Sequence, residues 1–153
     1  MLDTLLIRLL LQPYWRLTRG QTLGVQGIVV DDAGRVLLVR HGYVRGWHLP
    51  GGGVEHNECL ESALIRELGE ESGIILDGKP ALLGVFSNFE RSRGDHIAVY
   101  VVRRWHRFQE PRRNLEIVER RFFKLDSLPA EIIDGARRRL EEALQEKPVG
   151  NEW

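Results

Sequence analysis

A glycine-rich segment in the first half of the chain most constrains how this sequence can fold. Residues 46–58, GWHLPGGGVEHNE, hold too many glycines for a regular element and predict a loop. From residue 58 to 72 leucine recurs at every fourth position, which predicts an amphipathic helix. Gly73 supplies the residue at which a left-handed conformation commonly ends a helix. The fold therefore has to place a glycine-rich loop directly before a helix.

Strand-forming segments surround this loop and helix. Two strands are predicted at 22–30 and 35–40, joined by the hairpin turn DDAG at 31–34. Further strands are predicted at 81–89, 96–102 and 117–123, and a second helix at about 131–146. Because contiguous strands outnumber the helices, the order indicates an α+β fold, a mixed sheet with helices packed on its faces.

The two ends of the chain lie outside this pattern. Residues 1–18 predict a helical extension, in which the leucines between positions 2 and 10 form one apolar face. That face favours packing on the chain's own domain or across a homodimer. Membrane contact through residues 2–11 is less favoured, because Arg8 is nearly the only basic residue there. The main domain is predicted at 19–147 and a disordered tail at 148–153.

Charge and cysteine content exclude several classes of function. The 22 basic and 22 acidic residues cancel, so no overall field attracts duplex nucleic acid or an anionic membrane. The single cysteine, Cys59, excludes an internal disulfide and indicates a reducing compartment. The apolar run at the N-terminus stops at Pro13, too early to span a bilayer. A cytoplasmic protein with a small-molecule partner is expected.

Three glutamates in RELGEESG, residues 66–73, share one face of the predicted helix. Glu67, Glu70 and Glu71 stand at positions i, i+3 and i+4, where like charges repel by about 0.2–0.5 kcal/mol per pair. A hard divalent cation such as Mg²⁺ takes oxygen ligands and would turn this repulsion into attraction. A solvated acidic face is the alternative interpretation of the glutamates taken alone.

The spacing of the glycines and glutamates decides between these interpretations. From Gly52 onwards the sequence fits G-x5-E-x7-R-E-U-x-E-E-x-G-U, with U aliphatic, at every specified position. This pattern is the Nudix box, and the chain resembles the Nudix hydrolase family from about residue 20 to 145. One departure is Asn57, where family members often have glycine, although asparagine tolerates a positive φ. The resemblance implies a Nudix-type α/β/α sandwich.

The same resemblance implies an activity and the residues that carry it. Nudix hydrolases cleave a pyrophosphate bond in a nucleoside diphosphate linked to another group X, using Mg²⁺ or Mn²⁺, with water attacking phosphorus. By match to the box, the metal ligands are Glu67, Glu70 and Glu71, together with a backbone carbonyl of Gly51 or Gly52. Glu67 is alternatively the general base, oriented by Arg66.

Further candidate residues lie outside the box. Family members often supply another acidic residue from a loop before the last strand, and Glu116 is preferred here over Glu110 and Glu119. Basic and aromatic residues near the predicted mouth are candidates for substrate contact: Arg40, Tyr43, Arg45, Trp47, His48 and Phe89. Core packing is an equal alternative for Trp47. The alternative function is a non-catalytic Nudix module that binds or senses a nucleotide, although no box acid is missing.

Overall fold

The computed structural model describes residues 20–107 and 117–153. The described helices are α1, Leu60–Ser72, and α2, Asp134–Leu144. The described strands are β1 Thr22–Val29, β2 Val36–His41, β3 Trp47–His48, β4 Gly51–Gly53, β5 Ile74–Leu76, β6 Ala81–Ser87, β7 Asp95–Val102, β8 Trp105–Arg107 and β9 Ile117–Phe123. The predicted N-terminal helix, Glu110 and Glu116 lie outside the described residues.

A four-stranded mixed sheet forms the centre of the domain, in the order β4-β1-β7-β6. β1 and β7 run parallel, from the pair Thr22 and Asp95 to the pair Val29 and Val102. The β1–β4 and β6–β7 pairs are antiparallel. The predicted α+β sandwich with a mixed sheet is thus confirmed.

The predicted hairpin between β1 and β2 is present only at its turn. The Asp31 N–H donates to the Arg35 carbonyl at 3.0 Å, and an isolated antiparallel bridge joins Val30 to Val36. Beyond this point the strands separate, and β2 pairs with β3 and β9 in a second sheet. The reason is that β4 and β7 already occupy both edges of β1, which leaves no edge for β2.

Two apolar cores lie on opposite faces of the central sheet. Alternate residues of β1 face opposite sides, as the strand period requires. On one side, Val25 and Val29 pack in a cluster with Leu64 and Leu68 of α1. On the other side, Ile28 belongs to a cluster that holds Phe86 and, from α2, Ala136 and Leu140. The two helices therefore enclose the sheet from both faces.

The glycine-rich segment 46–58 is not the continuous loop that its composition predicts. Trp47–His48 pairs with β2, and Gly51–Gly53 pairs with β1. Glycine is a poor strand former in isolation, but an existing neighbouring strand supplies the hydrogen-bonding partners. The prediction was wrong for these five residues: β3 pairs locally with the end of β2, and β4 forms through a long-range pairing with β1. Asn57 does take a positive φ, of 63°, as its substitution for glycine requires.

The last residues of the chain pack against β6 and α2, at positions for which the sequence predicts a disordered tail, 148–153. Glu152 forms a parallel bridge with Ser87 at the end of β6. The Trp153 ring lies on Gly135 of α2, where a Cβ would come within 2.4 Å of the indole nitrogen. The sequence PVGNEW has no periodic apolar pattern, so only the free edge of β6 and the glycine on α2 reveal its docking place.

Candidate active site

Helix α1 presents its three box glutamates at different depths. Its apolar side is anchored by Leu64 and Leu68, whose methyl carbons lie 3.3 Å from where a Cβ on Gly27 would stand. Glu71 is only 5% exposed. The Glu67 side chain is 14% exposed and that of Glu70 is 61% exposed. A solvated acidic face would leave all three exposed, so this gradient argues against that interpretation.

Two positions in β4 have no room for a side chain, because other atoms lie close to the backbone there. At Gly51, with φ of +147°, a Cβ would lie 2.1 Å from the Val25 carbonyl oxygen. At Gly52 a Cβ would lie 2.4 Å from an Oε atom of Glu67. Any other residue at either position would push β4 away from β1 or displace the glutamate. The glycine run therefore brings backbone and carboxylate into direct contact.

Arg66 ties the loop, the strand and the helix together. Its Nε and Nη2 atoms donate to the two carboxylate oxygens of Glu58, each at 2.9 Å. Nη2 also donates to the Gly53 carbonyl at 2.9 Å, and Nη1 donates to Glu67 Oε1 at 2.7 Å. All three guanidinium nitrogens thus have acceptors. A bidentate pair of this kind restricts geometry as well as supplying energy, so Glu67 is held in one orientation.

The charges in this network shift one another's pKa values. Hydrogen bonds from Arg66, followed by one from the Glu55 N–H, lower the pKa of Glu58 to about 2 from 4.5. Glu58 in turn raises the pKa of Arg66. Burial raises the pKa of Glu67, and the hydrogen bond from Arg66 opposes that rise. Glu58 therefore remains a charged partner for Arg66. The buried Glu67 carboxylate, in contrast, is stabilised by nearby positive charge.

The register of β4 indicates which glycine carbonyl is suited to ligand contact. The Gly51 N–H donates to Glu71 Oε2 at 2.9 Å, and the Gly53 carbonyl accepts from Arg66. Both peptide groups therefore point away from β1, since residues of an antiparallel strand alternate between facing and leaving their partner. Gly52 lies in the opposite phase and pairs with Val25. Of the two predicted carbonyls, that of Gly51 faces the carboxylates.

The donors around α1 have the chemistry that a hard divalent cation prefers. They are carboxylate oxygens and a backbone carbonyl, with no sulfur or imidazole among the assigned ligands. In residues 20–107 and 117–153, no three His, Cys, Asp or Glu side chains are close enough to form a preassembled metal site. Glu70 reaches towards solvent, with its Oε2 3.9 Å from Arg66 Nη1. It has to turn towards Glu67 for three carboxylates to share one ion.

The predicted substrate residues fall in two separate places. Arg40, Tyr43 and Arg45 line a cavity of about 710 Å³ together with Val118 and Glu131. Arg40 forms a salt bridge of 3.1 Å to Glu119, which makes that glutamate a partner of an arginine. Phe89 is 54% exposed and lies elsewhere, edge-on to His96.

Trp47 and His48 are buried, each 6% exposed. The Trp47 ring packs edge-on against Phe123, with 4.9 Å between ring centroids, and belongs to the core. His48 Nε2 lies 3.0 Å from the Arg45 carbonyl oxygen, and burial lowers the pKa of its imidazole. This burial argues against the predicted substrate contact through either ring.

A cavity beside the glycine strand contains residues that sequence reasoning missed. It measures about 460 Å³ and lies between Gly52–Gly53, the start of β1 and the turn that joins β6 to β7. The turn contributes Asn88, Arg91 and Ser92. In the sequence, NFERSRGD resembles any polar hairpin turn, and only the pairing of β1 with both β4 and β7 brings it to the glycines.

Asp95 and the competing candidate Glu119 are both engaged by other side chains. Asp95 accepts hydrogen bonds from Thr22 Oγ1 at 2.6 Å and from Asn88 Nδ2 at 2.7 Å, so it organises the turn. Glu119 contacts Arg40 and Arg121. Both roles are structural.

Comparison with known proteins places the chain in a family. A family model described as the NUDIX domain matches residues 20–144. The chain belongs to the Nudix family. The matched region includes α1, the glycine strand and α2, so the whole box lies within it.

Named Nudix relatives differ in how much of their length is shared. An ADP-ribose pyrophosphatase of Methanocaldococcus jannaschii is 33% identical over 118 residues, which are 75% of this chain and 69% of the relative. A MutT-like protein of Streptomyces ambofaciens is 39% identical over 70 residues, 46% of this chain and 45% of the relative. The alignment thus spans less than half of that second relative.

A solved structure agrees with the fold. The crystal structure of a MutT NUDIX hydrolase from Burkholderia pseudomallei superimposes with a TM-score of 0.67 at 30% identity. The match covers 79% of this chain and 96% of that one. Nudix hydrolases generally use divalent metal ions and act on small nucleotide substrates. No helix among the described residues is long and apolar enough to cross a membrane.

Proposed function

We propose that this chain hydrolyses a pyrophosphate bond in a nucleoside diphosphate linked to another group X, with Mg²⁺ or Mn²⁺ as cofactor. The observation that carries the proposal is the Arg66 network, which orients Glu67 against Gly52 while Glu71 binds the Gly51 N–H. A purely structural network has no need to hold a buried carboxylate against a glycine backbone.

Each residue of the network has a role in this proposal. Glu67, Glu70, Glu71 and the Gly51 carbonyl hold the cation, and Arg66 fixes the direction of the Glu67 carboxylate. When bound, a divalent cation neutralises charge on the pyrophosphate and lowers the pKa of bound water. Glu58 keeps Arg66 in place and does not touch substrate. The base that receives the water proton is Glu67 or Glu116.

Two regions are assigned to substrate recognition. The cavity beside Gly52–Gly53 adjoins the strand that lies against Glu67, and it offers the cationic Arg91 and the amide of Asn88. The second cavity offers the cationic Arg40 and Arg45 and the exposed ring of Tyr43. Cationic and aromatic groups recognise phosphate and base respectively, which fits a nucleotide with an additional group X.

The test is hydrolysis of a panel of substrates by purified protein with Mg²⁺ and with Mn²⁺. The panel contains ADP-ribose, a sugar nucleotide, a dinucleoside polyphosphate, an oxidised nucleoside triphosphate and an RNA with a capped 5′ end. Turnover of at least one is expected, with a large but measurable decrease in Glu67→Gln. Glu61→Gln is the matched control, because Glu61 lies on the same helix near Lys79 and away from the glycine strand. Absence of turnover on the whole panel contradicts the proposal.

The base is assigned by comparing Glu67→Gln with Glu116→Gln across the pH range. The variant that lacks the base loses the acidic limb of the rate profile, because its limiting deprotonation is gone. The variant that lacks only a metal ligand keeps that limb and needs more Mg²⁺ for half-maximal activity.

A further inference from the structure

Residues 149–153 lie against the free edge of β6 and form one parallel bridge to it, between Glu152 and Ser87. The Ser87 N–H donates to the Asn151 carbonyl at 2.9 Å, and the Trp153 N–H donates to the Ser87 carbonyl at 2.8 Å. Both outward backbone groups of Ser87 are therefore satisfied by this segment. Because β6 is the last strand of the central sheet, the segment continues the sheet at the end of β6 next to the Asn88–Asp95 turn.

Arg139 of α2 clamps the segment from below. Its Nη1 donates to the Glu152 carbonyl at 2.8 Å, and its Nη2 donates to Glu142 Oε1 at 2.6 Å. The guanidinium carbon lies 3.7 Å from the centre of the Phe86 ring, in cation–π contact. Arg139 is 1% exposed, and the Trp153 ring covers it from the other side.

The Arg139–Glu142 ion pair in this clamp is energetically costly to bury. Arg139 Nε and Glu142 Oε2 are both buried without a hydrogen-bond partner. Burial lowers the pKa of Arg139, against the opposing effect of Glu142. A buried ion pair with unsatisfied atoms is weaker support for a fold than apolar residues of the same volume. Its use here indicates a geometric purpose, namely to hold the segment in one place.

The clamped segment contacts the residue that immediately precedes the turn at 88–95. Ser87 is followed directly by the turn at 88–95, whose Asn88 N–H donates to the Asp95 carbonyl at 2.9 Å. One side of this turn lines the cavity next to Gly52–Gly53, and its other side lines a cavity of about 660 Å³ shared with Trp153. The turn is thus a wall between the segment and the cavity beside the glycine strand.

We propose that residues 149–153, clamped by Arg139, position the Asn88–Asp95 turn and thereby determine which group X fits beside the glycine strand. The segment does not touch the reacting atoms, so it is a positioning element. The proposal rests on the proposed hydrolase function, because selectivity between nucleotides is its readout in activity. It assigns a role to residues outside the family's box.

The first test measures selectivity in Trp153→Ala and in a chain that ends at Pro148. For each, kcat and KM are measured on the two best substrates of the panel. We expect kcat to stay within about threefold while KM rises roughly tenfold for the substrate with the larger X, since misplaced binding groups weaken binding more than chemistry. Glu152→Gln is the matched control, because Glu152 takes part through its backbone. Trp153→Phe should restore most of the selectivity.

The second test separates positioning from overall stability and from the proposed function. Amide hydrogen exchange is measured in the same variants without substrate. We expect faster exchange at residues 88–95 and unchanged exchange in α1 and β4. Unchanged exchange at 88–95, or equal loss of kcat/KM for all substrates, overturns the proposal. If the wild-type chain hydrolyses no substrate, the hydrolase proposal fails, and the exchange experiment still decides whether the segment positions the turn.

Discussion

Two arginines, Arg66 on α1 and Arg139 on α2, each join a helix to a separate strand segment through a carboxylate and a backbone carbonyl. Arg66 has an acceptor for every guanidinium nitrogen and its side chain is 25% exposed. Arg139 leaves its Nε without a partner and is 1% exposed. Their pKa values move in opposite directions, up for Arg66 and down for Arg139.

This difference between Arg66 and Arg139 shows that solvent exposure determines what an arginine–carboxylate–carbonyl contact is suited for. The partly exposed Arg66 network is complete, and it uses only one of the two carboxylate oxygens of Glu67. In the dry interior, the Arg139 network is incomplete and stacks on an aromatic ring. The first arrangement suits chemistry, and the second suits mechanical attachment. The following predictions test this contrast, from the largest expected effect to the smallest.

Glu71→Gln is expected to have the largest effect. Glu71 is buried and binds the Gly51 N–H, so the amide retains the packing but loses the charge that a cation requires. We expect kcat to fall by at least about a thousandfold with an unchanged unfolding midpoint, because metal-assisted charge stabilisation is worth several kcal/mol. The measurement is steady-state hydrolysis with a urea titration as the folding control. Full turnover would contradict the ligand assignment.

Arg139→Met is expected to affect stability rather than chemistry. Removing one partner of a buried pair leaves the Glu142 carboxylate uncompensated, which costs about 3 kcal/mol of unfolding free energy. Adding Glu142→Leu should recover most of that loss, since two apolar residues of similar volume replace the pair. Urea unfolding of the single and double variants measures both values. A double variant as unstable as the single one would show that the pair stabilises by itself.

Glu58→Gln is expected to have an intermediate effect on activity. It removes the bidentate partner that orients Arg66, and loss of a group that orients metal ligands costs roughly 10- to 100-fold in activity. The comparison with Glu55→Gln serves as the control, because Glu55 contributes its backbone N–H and not its carboxylate to the network. Equal activities of the two variants would remove Glu58 from the orienting role.

The same variant changes the pH dependence of stability. Arg66 holds the folded-state pKa of Glu58 at about 2, below the ordinary 4.5. The resulting stabilisation is fully present above pH 4.5 and is lost as the pH falls towards 2. Thermal unfolding of the wild-type chain and Glu58→Gln over this range should therefore converge at low pH. A constant difference between them at all pH values would contradict the linkage.

Arg121→Ala is expected to have the smallest effect. Arg121 donates to Glu119 at 2.7 Å, but its side chain is 62% exposed. Exposed pairs contribute at most about 1 kcal/mol, so unfolding free energy should change by no more than about 0.5 kcal/mol. Urea titration measures this, with Arg139→Met as the internal comparison. A loss similar to that of Arg139→Met would mean that exposure does not control the value of these contacts.

Sequence alone predicted most of the elements, because each has a local signal. The leucine period located α1, Gly73 ends it with φ of +66°, and β9 spans the predicted residues. The pairing partners of the strands were harder to predict from the sequence. The separation of β1 from β2 and the pairing of the glycine strand β4 are the examples. A short glycine strand carries no propensity of its own and forms only when β1 offers an edge.

In the candidate site, too, locally encoded features were predictable and features that depend on distant segments were not. The residue types and spacing of the Nudix box were sufficient to nominate Arg66 and the three glutamates. The sequence could not show that Glu71 is buried or that Trp47 packs in the core, because burial depends on the whole chain. It also gave no sign of the 88–95 turn as a cavity wall.

What the sequence determined by itself is the local chemistry: which residues carry charge, where helix α1 ends, and which family the box belongs to. Only the tertiary structure decided which arginine contacts the box glutamates and which is buried under Trp153. The physical reason is that spacing along the chain sets neighbours within one element, whereas dielectric surroundings and partner atoms come from segments far apart in sequence. Arg66 and Arg139 look equivalent until β4 and residues 149–153 are in place.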